Sequence, residues 1–337
     1  MVAARDQRPA PYSMTTSQCS IPIRRIINFD SGEDDVCIIR VQNMRFKVNP
    51  CVLQAGSPIF KNILESRESP IVLSGHTASQ FRAFLSAVYA RPLPSAKTVE
   101  VARLCSIAEV ALKYDFNSLK MWSMEGIKTQ VNAPNTLLRT APSETFVRLI
   151  RLALLYRDVD LSRSVQLKWL TRIHWHDLPP APAIVVADAY DLRHLLCHAY
   201  YVHLVNVSPR IVRGEPIDTD SPLTPTQNLH VFCGYHSLLA SWKQLQEAPP
   251  AFAQDEECRT HVRCEVAWKA RWALETGRSS AFSPVDVLCR LLFMERHLEA
   301  DEVLKDCMGD GCRREALDAI AKKRAEISEN LHHHFDL

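Results

Sequence analysis

The chain has 337 residues, enough for roughly two domains, and its 47% hydrophobic and 23% charged content is typical of a folded globular protein. The formal net charge is only +2, so the overall charge does not indicate a nucleic-acid or anionic-membrane partner. Nine glycines, with no G-x-G-x-x-G or G-x-x-x-x-G-K-[ST] pattern, disfavour dinucleotide-binding and P-loop folds.

Strand signals are concentrated near the start of the chain. Residues 1–24 are polar, lack the apolar run of a signal peptide, and are predicted to form a disordered tail. After a turn cluster at 30–34, residues 36–41 and 44–48 are rich in β-forming side chains, and the second run alternates with period two. The two runs flank a turn, so they predict a β-hairpin with one buried face.

Helix start signals follow the predicted hairpin. Asn49 and Ser57 each precede a proline, which predicts an N-cap followed by proline at the first helical position. A short strand is predicted at 69–73. Further helices are predicted from Thr77, over 99–114 and from Asn117.

Beyond about residue 131 the sequence predicts helices only. Helices are expected from Ser143 and over 161–174, 184–205, 226–247, 255–276, 284–298 and 313–331, with a loop at 206–227 and an exposed tail at 332–334. No stretch is apolar enough for a membrane span. The fold class is therefore α+β: a tail at 1–24, a mixed domain at 25–131 and an all-α domain at 132–337.

The order of elements over residues 26–130 resembles that of a BTB/POZ domain. Leu53, Ser57 and Phe60 reproduce the family's Leu-x-x-x-Ser-x-x-Phe helix pattern, and residues 81–89 its Phe-x-x-x-Leu-x-x-x-Tyr pattern. The helical remainder resembles the C-terminal regions of BTB proteins that are abundant in fungi. The resemblance implies a small sheet with helices, homodimerisation through this domain, and protein partners. It also implies, as an alternative, a substrate adaptor that binds the cullin scaffold of a ubiquitin ligase.

The resemblance also suggests two partner-interface residues, Asp35 and Asn49. In the family, an aspartate near Asp35 and a basic residue near the first helix shape a charged pocket at the dimer interface. Here Asn49 and Pro50 stand where the family has a histidine and a basic residue, so Asp35 would lack its usual partner. We predict a non-catalytic protein–protein interaction protein that self-associates through this domain.

Cysteines and histidines offer a zinc-stabilised protein as an alternative. The 11 cysteines are odd in number and scattered, which indicates reduced thiols in the cytoplasm or nucleus. Cys258, His261 and Cys264 have ligand chemistry, but on one helix they would fan over about 120°, which makes three ligands for one ion difficult. We therefore predict no metal and no cofactor. Two further pairs of the same type are Cys233 with His236 and Cys307 with Cys312.

A DNA-associated factor and an enzyme are the remaining alternatives. Trp268, Lys269, Arg271 and Trp272 interleave aromatic and basic side chains, as some single-strand binders do, and 322–324 is a basic run. Acidic residues dilute the basic run and the two tryptophans are four residues apart, so we predict a solvated helix face and inward-facing rings without nucleic-acid binding. No G-x-S-x-G or H-E-x-x-H motif occurs, and no catalytic residue is predicted.

Overall fold

A computed structural model of the chain describes residues 25–29, 36–65, 70–133, 137–217, 223–278 and 282–337. The chain forms two compact units, the first ending at Gln130 and the second beginning at Val131. None of the described helices is long and apolar enough to cross a membrane. The predicted tail at 1–24 and the turn cluster at 30–34 lie outside the described residues.

The first unit is built on a four-stranded sheet. Its strands are β1 (Arg25–Asn28), β2 (Cys37–Val41), β3 (Met44–Val48) and β4 (Ile71–Leu73), in the order β1-β3-β2-β4. β2 and β3 pair antiparallel, which confirms the predicted hairpin, whereas β1 runs parallel to β3 and β4 parallel to β2. Alternate residues of the hairpin are buried, as a sheet with one core-facing side requires.

Helices cover the inner side of this sheet. They are α1 (Pro50–Gly56), α2 (Pro58–Glu65), α3 (Ala78–Val88), α4 (Val101–Lys113) and α5 (Asn117–Asn132), with a 3₁₀ turn at Ala96–Thr98. The predicted start signals of the first three are confirmed. The side chains of Asn49, Ser57 and Thr77 each accept a hydrogen bond from a backbone N–H group in the first turn of the helix that follows.

Aromatic rings form the centre of the first unit. Phe46, Phe60 and Phe81 are fully buried. Phe60 stacks on Tyr114 with ring centroids 4.4 Å apart, and Phe46 meets Phe81 edge-on at 5.1 Å. Such pairs add roughly 0.5–1.5 kcal/mol each to the free energy gained by burial alone. The core therefore joins the hairpin, α2 and α3 into one packed body.

The second unit is helical throughout its described residues. Its helices are α6 (Ser143–Leu155), α7 (Val159–His174), α8 (Ala181–Ala189), α9 (Arg193–Val212), α10 (Pro225–Glu247), α11 (His261–Gly277), α12 (Val287–Glu299), α13 (Glu302–Cys307), α14 (Asp310–Glu329) and α15 (Leu331–His334), and a 3₁₀ turn lies at Leu137–Arg139. The predicted fold class, a mixed domain followed by a helical region, is confirmed.

Three predicted boundaries in the second unit are wrong. The single helix expected at 184–205 is divided into α8 and α9, because the chain turns at Asp191, whose φ of 51° is left-handed. α9 then continues through Pro209 into the expected loop. The helix expected from residue 255 begins only at His261, and this later start decides where Cys258 lies.

A buried hydrogen-bond network fixes α9 against α12. The Tyr201 hydroxyl donates to Asp286 Oδ1 at 2.7 Å and accepts from the Leu288 N–H at 3.0 Å. Burial and the neighbouring Asp286 carboxylate raise the pKa of Tyr201 well above its usual value, so the phenol keeps its proton. Asp286 also caps α12 through the Cys289 N–H, so every group in the network has a partner.

The C-terminal end of the chain packs into the second unit through Phe335, while His333 in the predicted exposed tail is exposed. Phe335 is fully buried, stacks on Tyr200 with ring centroids 5.4 Å apart, and lies so close to Gly234 that a Cβ there would sit 2.1 Å from the ring. Ser237 Oγ and His334 Nδ1 lie 2.8 Å apart. The sequence prediction considered the polar histidines at 332–334 and overlooked the adjacent Phe335, whose buried ring anchors the segment.

We predict that Phe60→Ala lowers the free energy of unfolding of the first unit by about 3–5 kcal/mol, because the change leaves a cavity beneath Tyr114. The matched control is Ile59→Ala. Ile59 is adjacent to Phe60 on α2 but is 37% exposed, so its truncation should lower the free energy of unfolding much less. Hydrogen exchange of β2 and β3 peptides in the full chain measures both. Equal loss of protection in the two variants would contradict the core position of Phe60.

Candidate functional site

The outer edge of β1 is open within the described part of the chain. β1 lies at the end of the sheet order and pairs with β3 alone. The N–H of Phe29, the residue after β1, donates to the Lys47 carbonyl at 3.1 Å. Because successive N–H groups of a strand point to opposite sides, the N–H of Asn28 points away from β3. Asn28 is exposed, so its backbone is available to another strand.

The opposite edge of the sheet, at β4, is a poorer template for strand addition. β4 has three residues, and Pro70 immediately precedes it. Short edge strands and prolines protect sheets from unwanted pairing, because a proline has no N–H to donate. Val72 of β4 is 56% exposed and leaves an apolar side chain on the outer face. Of the two edges, β1 is therefore the one suited to pairing.

The outer face of the sheet is basic. Arg40 and Arg45 lie directly opposite each other on β2 and β3, and Lys47 follows on the same face opposite Ile38. Like charges in directly opposed positions are unfavourable, so this face would gain from contact with an acidic surface. The same face of a second copy would instead increase the repulsion. The face and the β1 edge are therefore suited to different partners.

The second unit brings together three of the predicted metal-ligand candidates. The ligand atoms of Cys258, His261 and Cys312 all lie within 4.8 Å of one another, and Cys264 Sγ lies 3.8 Å from Cys258 Sγ. Cys258 lies in the coil before α11 and not on the predicted helix, and Cys264 does not belong to the group of three. A hydrogen bond from the backbone N–H of Thr260 lowers the pKa of the Cys258 thiol.

The other candidates with ligand chemistry form no such group among the described residues. Cys233 and His236 lie along α10, and Cys307 is the last residue of α13. His174 is the last residue of α7, where the helix dipole favours a histidine. Sequence spacing alone could not separate these pairs from the group that comes together.

The aromatic residues of the DNA-associated alternative are core residues. Trp268 and Trp272 are 1% and 0% exposed, and their indole N–H groups donate to the carbonyls of Pro250 and Leu245. Arg271 forms an ion pair with the largely buried carboxylate of Asp301. These rings cannot stack on bases, and the predicted inward packing of both tryptophans is confirmed.

Comparison with known families identifies the first unit. The BTB/POZ domain family model matches residues 32–130, which is less than a third of the chain. Residues 32–130 are a BTB/POZ domain. No curated protein matches the chain. A BTB/POZ domain mediates protein–protein interaction and is not a catalytic domain, so the matched region indicates a protein that binds other proteins.

The two partner-interface residues implied by the family have different outcomes. Asp35 lies outside the described residues. Asn49 caps α1, with its side-chain Oδ1 accepting from the Cys51 N–H at 2.9 Å, and its own N–H donates to the Tyr89 hydroxyl at 2.8 Å. The backbone N–H and side-chain oxygen of Asn49 are therefore used to fix the start of α1. Its role at a partner interface stays a prediction.

The surroundings of one histidine in the BTB/POZ domain favour its neutral form. His76 stacks on Phe81 and meets Tyr114 edge-on, each with ring centroids 5.5 Å apart, and both of its ring nitrogens are buried without a hydrogen-bond partner. Burial, together with the positive charge of Lys113, lowers the pKa of His76 to about 4. The neutral form is thus favoured by the fold.

We predict that His76 makes the BTB/POZ domain less stable in mild acid. Its pKa is about 4 when folded and 6.5 when exposed, so the unfolded state binds the extra proton and stability falls as pH decreases from 6.5 towards 4. Thermal unfolding of the full chain across this range measures the effect. His76→Gln should reduce the dependence but not abolish it, because burial also lowers the pKa of His198 to about 4, whereas the exposed His333→Gln should retain all of it. Identical pH profiles for wild type and His76→Gln would refute the assignment.

Proposed function

We propose that the protein is a non-catalytic, self-associating interaction protein whose BTB/POZ domain pairs with that of a second copy along the β1 edge. The observation that carries this proposal is the direction of the β1 backbone. The bond from Phe29 to Lys47 uses the inner side of the strand, so the Asn28 N–H and carbonyl remain for an outer partner. Unpaired edge groups of this kind favour strand addition.

Symmetry fixes how two such edges combine. A two-fold axis brings the same strand of each copy together, and two identical edge strands related in this way run antiparallel. The pairing would join the two sheets into one continuous sheet. Arg40, Arg45 and Lys47 lie on the face of the sheet and not at the edge, so this arrangement does not stack their charges against the partner's.

We predict that Asn28→Pro weakens self-association, because proline removes the outward N–H while leaving the inward bond from Phe29 in place. Asn28→Ala is the matched control: it removes the side chain but keeps the N–H. Light scattering during gel filtration of the full chain should give a dimer mass for wild type and Asn28→Ala, and a mass shifted towards the monomer for Asn28→Pro. A dimer that is unaffected by Asn28→Pro, or a wild type that stays monomeric at high micromolar concentration, would refute pairing along β1.

A cullin-based ubiquitin-ligase adaptor is the second candidate function. An adaptor needs one surface for the cullin scaffold and another for a substrate, and the chain has a separate second unit with its own exposed apolar side chains. Trp175, at the end of α7, is 75% exposed, and tryptophan is enriched among the residues that dominate binding energy at protein interfaces. This exposed indole supports a protein-binding role for the second unit.

The adaptor function predicts saturable binding of the full chain to the N-terminal domain of a cullin, measured by calorimetry at micromolar concentration. Trp175→Ala serves as the control and should bind the cullin with unchanged affinity, because Trp175 belongs to the unit assigned to the substrate. If titration of the folded, full-length chain with the cullin domain gives no binding heat, the adaptor function is refuted and self-association remains as the proposal.

A further inference from the structure

Three separate segments of the second unit converge on one point. The coil before α11 contributes Cys258, the first turn of α11 contributes His261 and Cys264, and the first turn of α14 contributes Cys312. The last of these is 54 residues away from Cys258 in the chain. The convergence therefore depends on tertiary packing and not on a local run of thiols.

Two of the distances between these side chains match those of a tetrahedral metal site. With Zn–S bonds of about 2.3 Å and Zn–N bonds of about 2.0–2.1 Å, two sulfur ligands lie about 3.8 Å apart, and a sulfur and a nitrogen about 3.6 Å apart. Cys258 Sγ and Cys264 Sγ are 3.8 Å apart, and Cys312 Sγ lies 3.5 Å from His261 Nδ1.

The surroundings of the ligands are also those of a metal site. His261 Nδ1 is directed at the thiols, while its Nε2 lies 3.6 Å from Glu265 Oε1. A carboxylate at Nε2 holds the proton there and leaves Nδ1 free to bind a metal. The backbone N–H of Asp255 is 3.5 Å from Cys312 Sγ and is oriented as a donor to it, an interaction that steadies a thiolate.

The site is largely buried, with Cys258 at its more exposed side, and lies at the starts of two helices. Cys264 and Cys312 are almost completely buried, and the side chain of His261 is only 17% exposed. The N-termini of α11 and α14 carry partial positive charge, which stabilises a thiolate, whereas burial acts against it and raises the pKa of the Cys312 thiol to about 11. Closed sites with four protein ligands are structural, whereas catalytic zinc sites keep one position open.

We propose that Cys258, His261, Cys264 and Cys312 together bind one zinc ion, which fastens the coil between α10 and α11 to the starts of α11 and α14. Three thiolates and an imidazole in tetrahedral array select zinc among the common divalent metals. Gly311 supports the close approach of the coil, since a Cβ there would lie 2.1 Å from the Asp255 side chain. The test of this site does not depend on self-association.

A disulfide is the main competing outcome for these thiols. Cys258 and Cys264 are close enough to suggest one, but a disulfide needs a sulfur–sulfur distance of about 2.05 Å, and the observed separation is 3.8 Å. A disulfide would also leave His261 and Cys312 facing each other without a common partner. A central ion accounts for the three ligand atoms that lie within 4.8 Å of one another, and Cys264 joins them through its contact with Cys258.

The first experiment is metal analysis of the full chain, purified under reducing conditions with any affinity tag removed. We expect about one equivalent of zinc per chain. A thiol-blocking mercurial should release that zinc, as expected for thiolate ligands. The proposal is overturned if the folded wild type contains no zinc and binds none when zinc is added, or if a disulfide between Cys258 and Cys264 is found in freshly purified protein.

Variants assign the ligands. Cys258→Ser, Cys264→Ser and Cys312→Ser should each lower zinc affinity by at least about tenfold. The matched control is Cys307→Ser, five residues before Cys312 and outside the group, which should retain full zinc. His261→Ala should lose zinc and His261→Cys should regain it, because a thiolate can replace the imidazole; a purely structural histidine would not show this rescue.

Cobalt replacement keeps the test independent of variants that fail to fold. Cobalt bound to the wild type should give the intense visible bands of tetrahedral coordination together with thiolate-to-cobalt charge transfer in the near ultraviolet. Adventitious binding to the histidines at 332–334 would give no thiolate charge transfer. A wild-type spectrum without thiolate bands would therefore refute the site, whatever the zinc content.

Discussion

Ser57 links the start of α2 to the end of α4 in the BTB/POZ domain. The packing of the rest of that domain depends on the hydrogen bonds that its buried hydroxyl makes. The Ser57 Oγ accepts from the Phe60 N–H at the start of α2 and donates to the carbonyl of Tyr114 at the end of α4. The same contact places Phe60 against the Tyr114 ring. A buried hydroxyl without these partners would cost about 1–3 kcal/mol, so the serine and the aromatic stack fix each other's positions.

This inner packing determines which surfaces remain for partners. The helices occupy the apolar side of the sheet, so its basic outer face and the β1 edge are left to the outside. Edge and face differ in chemistry, since one offers backbone hydrogen bonds and the other a row of like charges. In the proposed self-association the backbone groups of the β1 edge would bind the second copy, and the charged face would remain for a partner with an acidic surface.

The two units are stabilised in different ways. The first has an aromatic core under a small sheet, whereas the second relies on helix packing around α9, on the Tyr201 and Asp286 network, and on the convergence of α11 and α14 at Cys258 and Cys312. The coil before α11 contains no helix or strand, and its backbone hydrogen bonding is a turn in which the Cys258 N–H donates to the Asp255 carbonyl at 3.0 Å. A metal bound at the end of this coil would stabilise it, because the free energy of binding a structural ion adds to the free energy of folding.

The sequence by itself determined the elements that local chemistry controls. The hairpin, the helix starts at Asn49, Ser57 and Thr77, and the change from a mixed domain to helices follow from periodicity and capping, which act over a few residues. The tertiary structure alone decided which strand edge stays open and where Phe335 packs. It also decided that α11 begins at His261, which turns Cys258 towards Cys312. These features depend on contacts between distant segments, and residue spacing along the chain does not contain that information.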